Sequence, residues 1–335
     1  MKLRILTETD CRAVLDMSDA VDIQGEAFTL LASGRSVDGL RSFATSDEPP
    51  GVAIFNPCFL RNGGGYGIKV VSDFYRNGER GVPRMSALVA LFNGETGAPH
   101  TVMEAGYLTD LRTGAGTGLA ARYLARRDSR VLAVIGAGRV AANQVEALAS
   151  VLDLTSVLIS SRTRERGEAL IKRLLAVGGR VPKDIRYVES AADAVGAADV
   201  VVAATTSHKP VVEGRWLKPG TFVASVGAYE PTSREVDSET IRRASRRVID
   251  SRKDCLPHAG DLVIPSQEGL ISLDGVPEIA DLVGGRAEGR KSDNEITFYK
   301  SIGVPIQDLV TAQHIERRAR ERGIGVTFDI GGDHD

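Results

Sequence analysis

The sequence predicts an α/β protein that combines a doubly wound parallel sheet of the Rossmann type with a second α+β domain. Strand-like and helix-like segments alternate between 131 and 251, and a glycine-rich turn joins the first of these strands to a helix. Before them, four strand-like segments follow one another closely. We expect the nucleotide-binding domain at 119–305, and a substrate and dimerisation domain built from both chain ends, 1–118 and 306–335.

The composition excludes several other classes of protein. Lys and Arg number 42 against 44 Asp and Glu, a formal charge of −2, whereas nucleic-acid binding requires a basic surplus. No apolar run approaches the roughly 20 residues of a membrane span. The three cysteines show no paired spacing and the five histidines are scattered, so we expect neither disulfides nor a metal site. These features predict a soluble, cytoplasmic protein.

The first part of the chain predicts a helix followed by an antiparallel or mixed sheet. Apolar residues between 17 and 33 recur at helical spacing, with Asp16 or Ser18 as the N-cap and Gly34 after the last turn. Strands are predicted at 51–55, 65–71, 87–92 and 100–105. The turn at 93–97 makes the last two strands a hairpin.

The alternating part begins with a long helix from Thr109. Strands are then predicted at 131–136, 157–160, 200–205, 222–227 and 247–251, with helices between them. The tail beyond about 305 is helical and charged, and we expect it to rejoin the first domain. His258, at the predicted end of a strand, is a weak acid–base candidate. The favoured interpretation is that it is a packed, structural histidine.

The segment VLAVIGAGRVAANQ carries a dinucleotide-binding fingerprint. Gly136, Gly138 and Ala141 follow an apolar strand and open a helix, in the spacing G-x-G-x-x-A. The first glycine permits the tight turn, the second lets a pyrophosphate approach, and the small third residue lets the helix pack on the strand. A glycine-rich turn in another kind of α/β sheet is the alternative.

The end of the second strand favours NADP, with NAD as the alternative cofactor. NAD enzymes usually carry an acid there for the ribose 2′-hydroxyl, but this chain has Ser161, Arg162 and Arg164. An arginine suits a 2′-phosphate because its planar fork donates several hydrogen bonds. Alternatively, both arginines belong to a solvated helix start.

Four cations precede the fingerprint and are suited to a carboxylate substrate: Arg41, Lys69, Arg84 and Arg112. Lys69 lies inside an apolar strand, where a lysine is unexpected. The alternatives are that Lys69 extends to solvent from an edge strand and that Arg112 pairs with Asp110.

Several blocks of the sequence together resemble the ornithine cyclodeaminase/μ-crystallin family. They read GIKVVSDF, GVPRMSALVALFNGETGAP, AGYLTDLRTGAGTGLAARYLAR, VIGAGRVAANQ and GRAEGRKSDNEITFYKSIGVPIQDL. The resemblance covers nearly the whole chain. It implies a two-domain enzyme, typically a homodimer, that uses a nicotinamide cofactor.

The resemblance also implies residue roles. Arg41, Lys69 and Arg112 would hold the substrate carboxylate. The expected cofactor-binding residues are Gly136, Gly138, Arg139, Val140, Ser161, Arg162, Arg164, Thr205, Val226, Gly227 and Asp293.

The sequence departs from the cyclodeaminase pattern at two positions, of which Tyr229 points to the ketimine reductase branch. Tyr229 stands where cyclodeaminases carry an aspartate, which argues against ornithine cyclisation; we expect Tyr229 to bind the substrate nitrogen. Arg84 stands where they tend to carry threonine; it would bind a second polar group of the substrate, or would be a surface or nucleotide-facing residue.

The sequence thus predicts an enzyme that reduces the C=N bond of a small imino acid with NADPH. The substrate would be a cyclic ketimine such as pyrroline- or piperideine-2-carboxylate, or the imine of a 2-oxo acid. An ammonia lyase of the cyclodeaminase type, with recycled NAD, is one alternative. A non-catalytic NADPH-binding protein of μ-crystallin type is the other. The side chain of the substrate, the direction in the cell and assembly beyond a dimer are left open.

Overall fold

The computed structural model describes residues 1–331 and divides the chain into two compact units. Unit 1 consists of Met1–Arg112 and the C-terminal segment that begins at Val304, and unit 2 is Thr113–Gly303. The first break lies inside a helix, a few residues before the boundary expected at 118.

The elements are numbered in chain order. Up to the first break they are β1 (Lys2–Leu6), α1 (Glu8–Val14), α2 (Met17–Ala32), β2 (Ser36–Asp38), β3 (Ser42–Asp47), β4 (Pro50–Leu60), β5 (Tyr66–Phe74), β6 (Met85–Phe92), β7 (Pro99–Glu104) and α3 (Gly106–Leu124). Next come β8 (Val131–Ile135), α4 (Ala141–Val151), β9 (Ser156–Ser160), α5 (Arg164–Val177), β10 (Asp184–Tyr187), α6 (Ala191–Ala197), β11 (Val200–Ala203), β12 (Phe222–Ser225), α7 (Ser238–Arg243) and β13 (Ala244–Ile249). The chain continues with α8 (Arg252–His258), α9 (Gly260–Gln267), α10 (Ile279–Val283), β14 (Ile296–Lys300), α11 (Pro305–Glu321) and β15 (Val326–Asp329).

Unit 1 is built on an eight-stranded mixed sheet. The order is β15-β1-β7-β6-β5-β4-β2, and β3 also pairs with β4. β1 and β7 run parallel, while β4, β5, β6 and β7 form an antiparallel meander. The predicted hairpin is confirmed: the Asn93 side chain accepts hydrogen bonds from the backbone N–H of Glu95 and Thr96, both at 2.9 Å. Asp16 caps α2 by accepting from the N–H of Asp19.

The C-terminal helix α11 belongs to unit 1 and packs on α2 and on strands β4, β5 and β6. Buried amides join the two helices, since Gln24 donates to Thr311 and accepts from Gln307, both at 3.0 Å. The face of β5 that α11 covers is therefore the buried face of the sheet.

Unit 2 is a seven-stranded sheet in the order β10-β9-β8-β11-β12-β14-β13, with every neighbouring pair parallel. Its central strands β8, β11 and β12 are almost wholly apolar and buried, as expected where helices cover both faces. The predicted doubly wound sheet is confirmed.

The structure corrects some details. β14 was not predicted, and it separates β12 from β13. His258 ends the helix α8 rather than a strand, and it is exposed rather than packed. Within residues 1–331, none of the helices has the length and apolar character that crossing a bilayer demands.

Candidate functional site

Lys69 lies on the buried face of β5. Alternate residues of this strand are buried, and Lys69 is only 4% exposed among Gly67, Val71 and Asp73. β5 has β4 on one side and β6 on the other, so the alternative of a lysine extending from an edge strand is wrong. Because burying an unpaired ammonium costs several kcal/mol, the lysine requires an anionic partner.

That partner is Asp308, in the first turn of α11. Its Oδ2 lies 2.6 Å from Nζ of Lys69, and its Oδ1 accepts a hydrogen bond of 2.9 Å from Nε of Arg112. The three side chains are all nearly inaccessible to solvent. The alternative in which Arg112 pairs with Asp110 is therefore wrong. One carboxylate holds two of the predicted substrate-binding cations side by side.

Arg41 lies beside this group. Its Nε donates a hydrogen bond of 2.9 Å to Oδ1 of Asn56, and Asn56 is paired with Lys69 across β4 and β5. A cavity of about 10 Å³, close to the lower limit for one water molecule, is bounded by Asn56, Cys58, Lys69 and Asp308. The structure thus brings the three predicted carboxylate-binding residues into one polar cluster of unit 1.

The cluster shifts the ionisation of its members. Burial lowers the pKa of Lys69 from 10.5 to about 8; Asp308 opposes this shift, while Arg112 and Arg41 add to it. Burial alone would raise the pKa of Asp308, but the attraction of Arg112 and Lys69 holds it below its usual range. At neutral pH the cluster therefore contains charged Lys69 and ionised Asp308.

Arg84 is engaged elsewhere in unit 1. It holds Asp73 through two parallel hydrogen bonds, Nε to Oδ1 at 2.6 Å and Nη2 to Oδ2 at 2.9 Å, and its guanidinium lies over the ring of Tyr75. Its side chain is more than half exposed. A role of Arg84 in substrate binding stays a prediction.

The fingerprint loop of unit 2 has the conformation that the glycines predict. Gly136 has φ +113°, and an added Cβ there would collide with the backbone oxygen of Ala204. Gly138 and Arg139 are exposed, Val140 is the N-cap of α4, and Ala141 is completely buried against the sheet. The loop backbone at the N-terminus of α4 is therefore open to a phosphate.

The two arginines after β9 differ in their surroundings. Arg162 is exposed and makes no ion pair with any described residue. Arg164 lies over the ring of Tyr187 and within 3.6 Å of both Glu168 and Glu189. Ser161 donates a hydrogen bond to the backbone of Thr163. Of the two arginines, Arg162 is thus the one whose charge is available.

The ends of β11 and β12 are joined by Glu235, a residue that the sequence reasoning missed. Its Oε1 accepts from the N–H and the hydroxyl of Thr205, at 2.6 and 2.9 Å, and its Oε2 accepts from the N–H of Gly227 at 2.6 Å. Glu235 thus fixes the backbone of two predicted cofactor-binding residues. Parallel sheets of this kind bind their ligands at the carboxyl ends of the strands.

Glu235 belongs to a fully buried charged network. Ser225 donates to Glu235 at 2.9 Å, and Lys300 lies 2.7 Å from Asp261 and 3.0 Å from Ser225. Burial raises the pKa of Glu235, Lys300 opposes this shift and Asp261 adds to it. Burial alone would lower the pKa of Lys300, but Asp261 and Glu235 raise it above its usual range.

The other predicted residues of unit 2 lie nearer the surface. Tyr229 is 54% exposed in the segment after β12, and Val226 is half-buried at the end of the same strand. Asp293 is exposed in the turn before β14. Their assigned roles stay predictions.

Asp308, which the sequence analysis did not single out, nevertheless left a signal in the sequence. Asp308, Thr311, Ala312, Ile315 and Ala319 recur at helical spacing, so Asp308 falls on the buried stripe of α11. An acid on an apolar stripe predicts a buried cation opposite. Nothing local identifies the cation as Lys69, because the two residues are far apart in the chain.

Comparison with known proteins gives consistent matches over nearly the full length of the chain. A family model described as the ornithine cyclodeaminase/mu-crystallin family matches residues 1–323. A Δ1-pyrroline-2-carboxylate reductase of Bacillus cereus is 30% identical over 97% of this chain and 99% of its own.

Solved structures are similar to this chain over nearly its whole length as well. The Thermococcus litoralis Δ1-pyrroline-2-carboxylate reductase in complex with NADH and L-proline superposes with a TM-score of 0.91 at 33% identity, covering 97% of this chain and 99% of that one. An archaeal alanine dehydrogenase dimer with bound NAD superposes with a TM-score of 0.90 at 31% identity, covering 99% and 100%.

Proposed function

Because this chain belongs to the ornithine cyclodeaminase/mu-crystallin family, we propose that it reduces the C=N bond of a small imino acid with NAD(P)H and so forms an amino acid. The observation that carries the proposal is the pairing of buried Lys69 and Arg112 on one carboxylate, beside Arg41. The pyrroline-2-carboxylate reductases among its relatives support this class of substrate.

The cations would bind the substrate through its carboxylate. Within the described residues, Asp308 takes the hydrogen bond from Nε of Arg112, and the two terminal nitrogens of the guanidinium hydrogen-bond to no side chain. Those nitrogens suit the two oxygens of a carboxylate. Fixing a small substrate through its carboxylate also fixes the adjacent C=N bond, and such positioning can supply roughly 7–11 kcal/mol of the barrier in favourable cases.

Lys69 would supply the proton that the substrate nitrogen gains. Its pKa of about 8 keeps the ammonium charged at neutral pH, yet allows it to release a proton more readily than an ordinary lysine. When bound, the reduced nicotinamide supplies the hydride that the C=N carbon receives. Tyr229 stays a candidate for a hydrogen bond to the substrate nitrogen.

The residues of unit 2 fit a dinucleotide. The tight turn at Gly136, the open backbone at Gly138 and the start of α4 form the anion-binding end of a helix. Thr205 and Gly227 would hold the nicotinamide end, with their backbone fixed by Glu235.

Within the two nicotinamide cofactors, we favour NADP. Ser161 and Arg162 follow β9 where an NAD enzyme usually carries an acid, and Arg162 is exposed without an ion-pair partner among residues 1–331. The two similar structures carry NADH and NAD, so the preference requires direct measurement.

A homodimer is the expected assembly, and the sheet of unit 1 supports it. The face of the sheet opposite α11 bears exposed apolar side chains, and an aromatic stack of Phe59, Tyr66 and Phe92 crosses three strands. In register with this stack, Leu88 is 54% exposed in the middle of β6. Exposed apolar faces of this kind usually mark a protein interface.

A panel of imino acids tests the function. The purified protein is incubated with pyrroline- or piperideine-2-carboxylate, or with pyruvate plus ammonia, and with NADPH or NADH; loss of nicotinamide absorbance is followed. Oxidation of the cofactor that depends on an imino acid supports the reductase. Release of ammonia from ornithine without net change in cofactor would replace it with the cyclodeaminase reaction. Cofactor binding with neither reaction would leave a binding protein.

A further inference from the structure

The cluster around Lys69 contains one acid that the proposed reaction does not require for binding its substrate. Asp308 is anionic, whereas Arg41, Lys69 and Arg112 are cations, so Asp308 opposes the binding of a second carboxylate there. It is nevertheless 4% exposed and uses both of its oxygens within the cluster. A buried acid that opposes ligand binding needs another reason to be present.

The geometry supplies that reason. We propose that Asp308 is a positioning residue, which sets the Lys69 ammonium and the Arg112 guanidinium side by side and keeps Lys69 protonated until the imine nitrogen takes its proton. The proposal rests on the proposed imine reduction. In that step an N–H bond of Lys69 breaks and an N–H bond forms on the substrate, which leaves Lys69 neutral and Asp308 ionised.

Asp308 is the one anion in contact with Lys69 among the described residues. The groups that face Lys69 are Asp308 from α11, Arg112 from α3, Arg41 from the segment before β3, and Asn56 and Cys58 from β4. Burial raises the pKa of the Cys58 thiol, so it stays neutral. Without Asp308, burial and two arginines would all act to remove the proton from Lys69.

The charge of Asp308 therefore decides whether Lys69 carries a proton at working pH. An opposite charge in direct contact typically shifts a pKa by about 1 to 3 pH units. A fall of about 2 pH units from the value near 8 would leave about a tenth of Lys69 protonated at pH 7, against about nine tenths in the parent protein. Asp308 would thus extend the active range towards higher pH.

The test measures kcat/KM for pyrroline-2-carboxylate against pH in three variants. Asp308→Asn keeps the shape and removes the charge, so the alkaline limb of its profile should move to lower pH by about 1 to 3 units. Asp308→Glu restores the charge and should move the limb back. Glu316→Gln removes another buried acid of α11, one that pairs with Arg320 rather than Lys69, and should leave the limb unchanged. An alkaline limb of Asp308→Asn that coincides with the parent's would overturn the proposal.

A second measurement is independent of turnover. Lysine labelled with ¹³C at Cε reports the titration of Lys69 by NMR, with Lys69→Met assigning the signal. A lower midpoint in Asp308→Asn supports the proposal even if no imine is reduced, in which case the proposed function alone fails. An unchanged midpoint refutes the role of Asp308, whether or not the protein is a reductase.

Discussion

Lys69 is expected to make the stability of the protein depend on pH in an unusual direction. Its pKa is about 8 in the folded chain and 10.5 when unperturbed, a difference of 2.5 pH units, which corresponds to about 3 kcal/mol. Between these two values the unfolded chain binds the proton and the folded chain does not. The free energy of unfolding therefore rises with pH in this window, by up to about 1.4 kcal/mol per pH unit.

Lys69→Met isolates this contribution, since it removes the ammonium and leaves Asp308 paired with Arg112. Urea unfolding followed by circular dichroism, at several pH values between 7.5 and 10, gives the free energy of unfolding of both proteins. The parent protein should gain about 2 kcal/mol relative to Lys69→Met over this range. Groups that titrate in both proteins cancel in the difference.

Buried Lys300 shows that burial alone does not decide whether a lysine makes stability rise or fall with pH. Asp261 and Glu235 raise the pKa of Lys300 above 10.5, so its contribution to stability is present below that value and is lost as pH rises through its folded-state pKa. Burial lowers the pKa of Lys69 below 10.5, and Arg112 and Arg41 add to this effect, so the pKa shift of Lys69 is opposite to that of Lys300. If the free energy of unfolding of the parent protein, relative to that of Lys69→Met, stays constant or falls between pH 7.5 and 10, the reasoning is refuted.

Three further changes test the other parts of the structure. Arg162→Ala should weaken NADPH binding about 10- to 100-fold, the value of a charge-assisted hydrogen bond, and should leave NADH binding unchanged. Nicotinamide fluorescence measures both affinities. Equal losses for both cofactors, or the same loss in the neighbouring Arg166→Ala, would exclude the 2′-phosphate role. Leu88→Asp should convert a dimer to a monomer in light scattering, whereas Leu175→Asp, equally exposed on α5, should not; a Leu88→Asp dimer would move the interface elsewhere. Glu235→Gln should lower the free energy of unfolding by about 1 to 3 kcal/mol, because the amide NH2 group that replaces one carboxylate oxygen would face at least one backbone N–H donor. An unchanged value would contradict the hydrogen bonds described.

Much of the fold could be predicted from local patterns. The strand before Gly136, the helix after it and the alternation up to 251 are each encoded within a short window, because apolar periodicity and turn residues act over a few positions. The strands β1, β2, β3, β10, β14 and β15 were missed. They are short or mixed in polarity. Apart from β3, which pairs with the adjoining β4, they are held in their sheets by strands that lie farther away in the chain.

The candidate site shows the same division between local and distant information. Motifs singled out Lys69, Arg112 and Arg162 as candidates, since a lysine in an apolar strand and an arginine in place of an acid after the second strand are unusual in themselves. The partner of Lys69 could not be read locally. Asp308 follows it by more than two hundred positions and reaches it only because α11 packs on β5.

By itself, the sequence determined the fold class, the family and the type of each reactive group, because residue chemistry and short-range spacing are properties of the chain alone. The tertiary structure decided which charges meet and how far each is buried. Those two quantities set the pKa of Lys69 near 8 and that of Lys300 above 10.5, and so make one buried lysine a candidate proton donor and the other a structural cation.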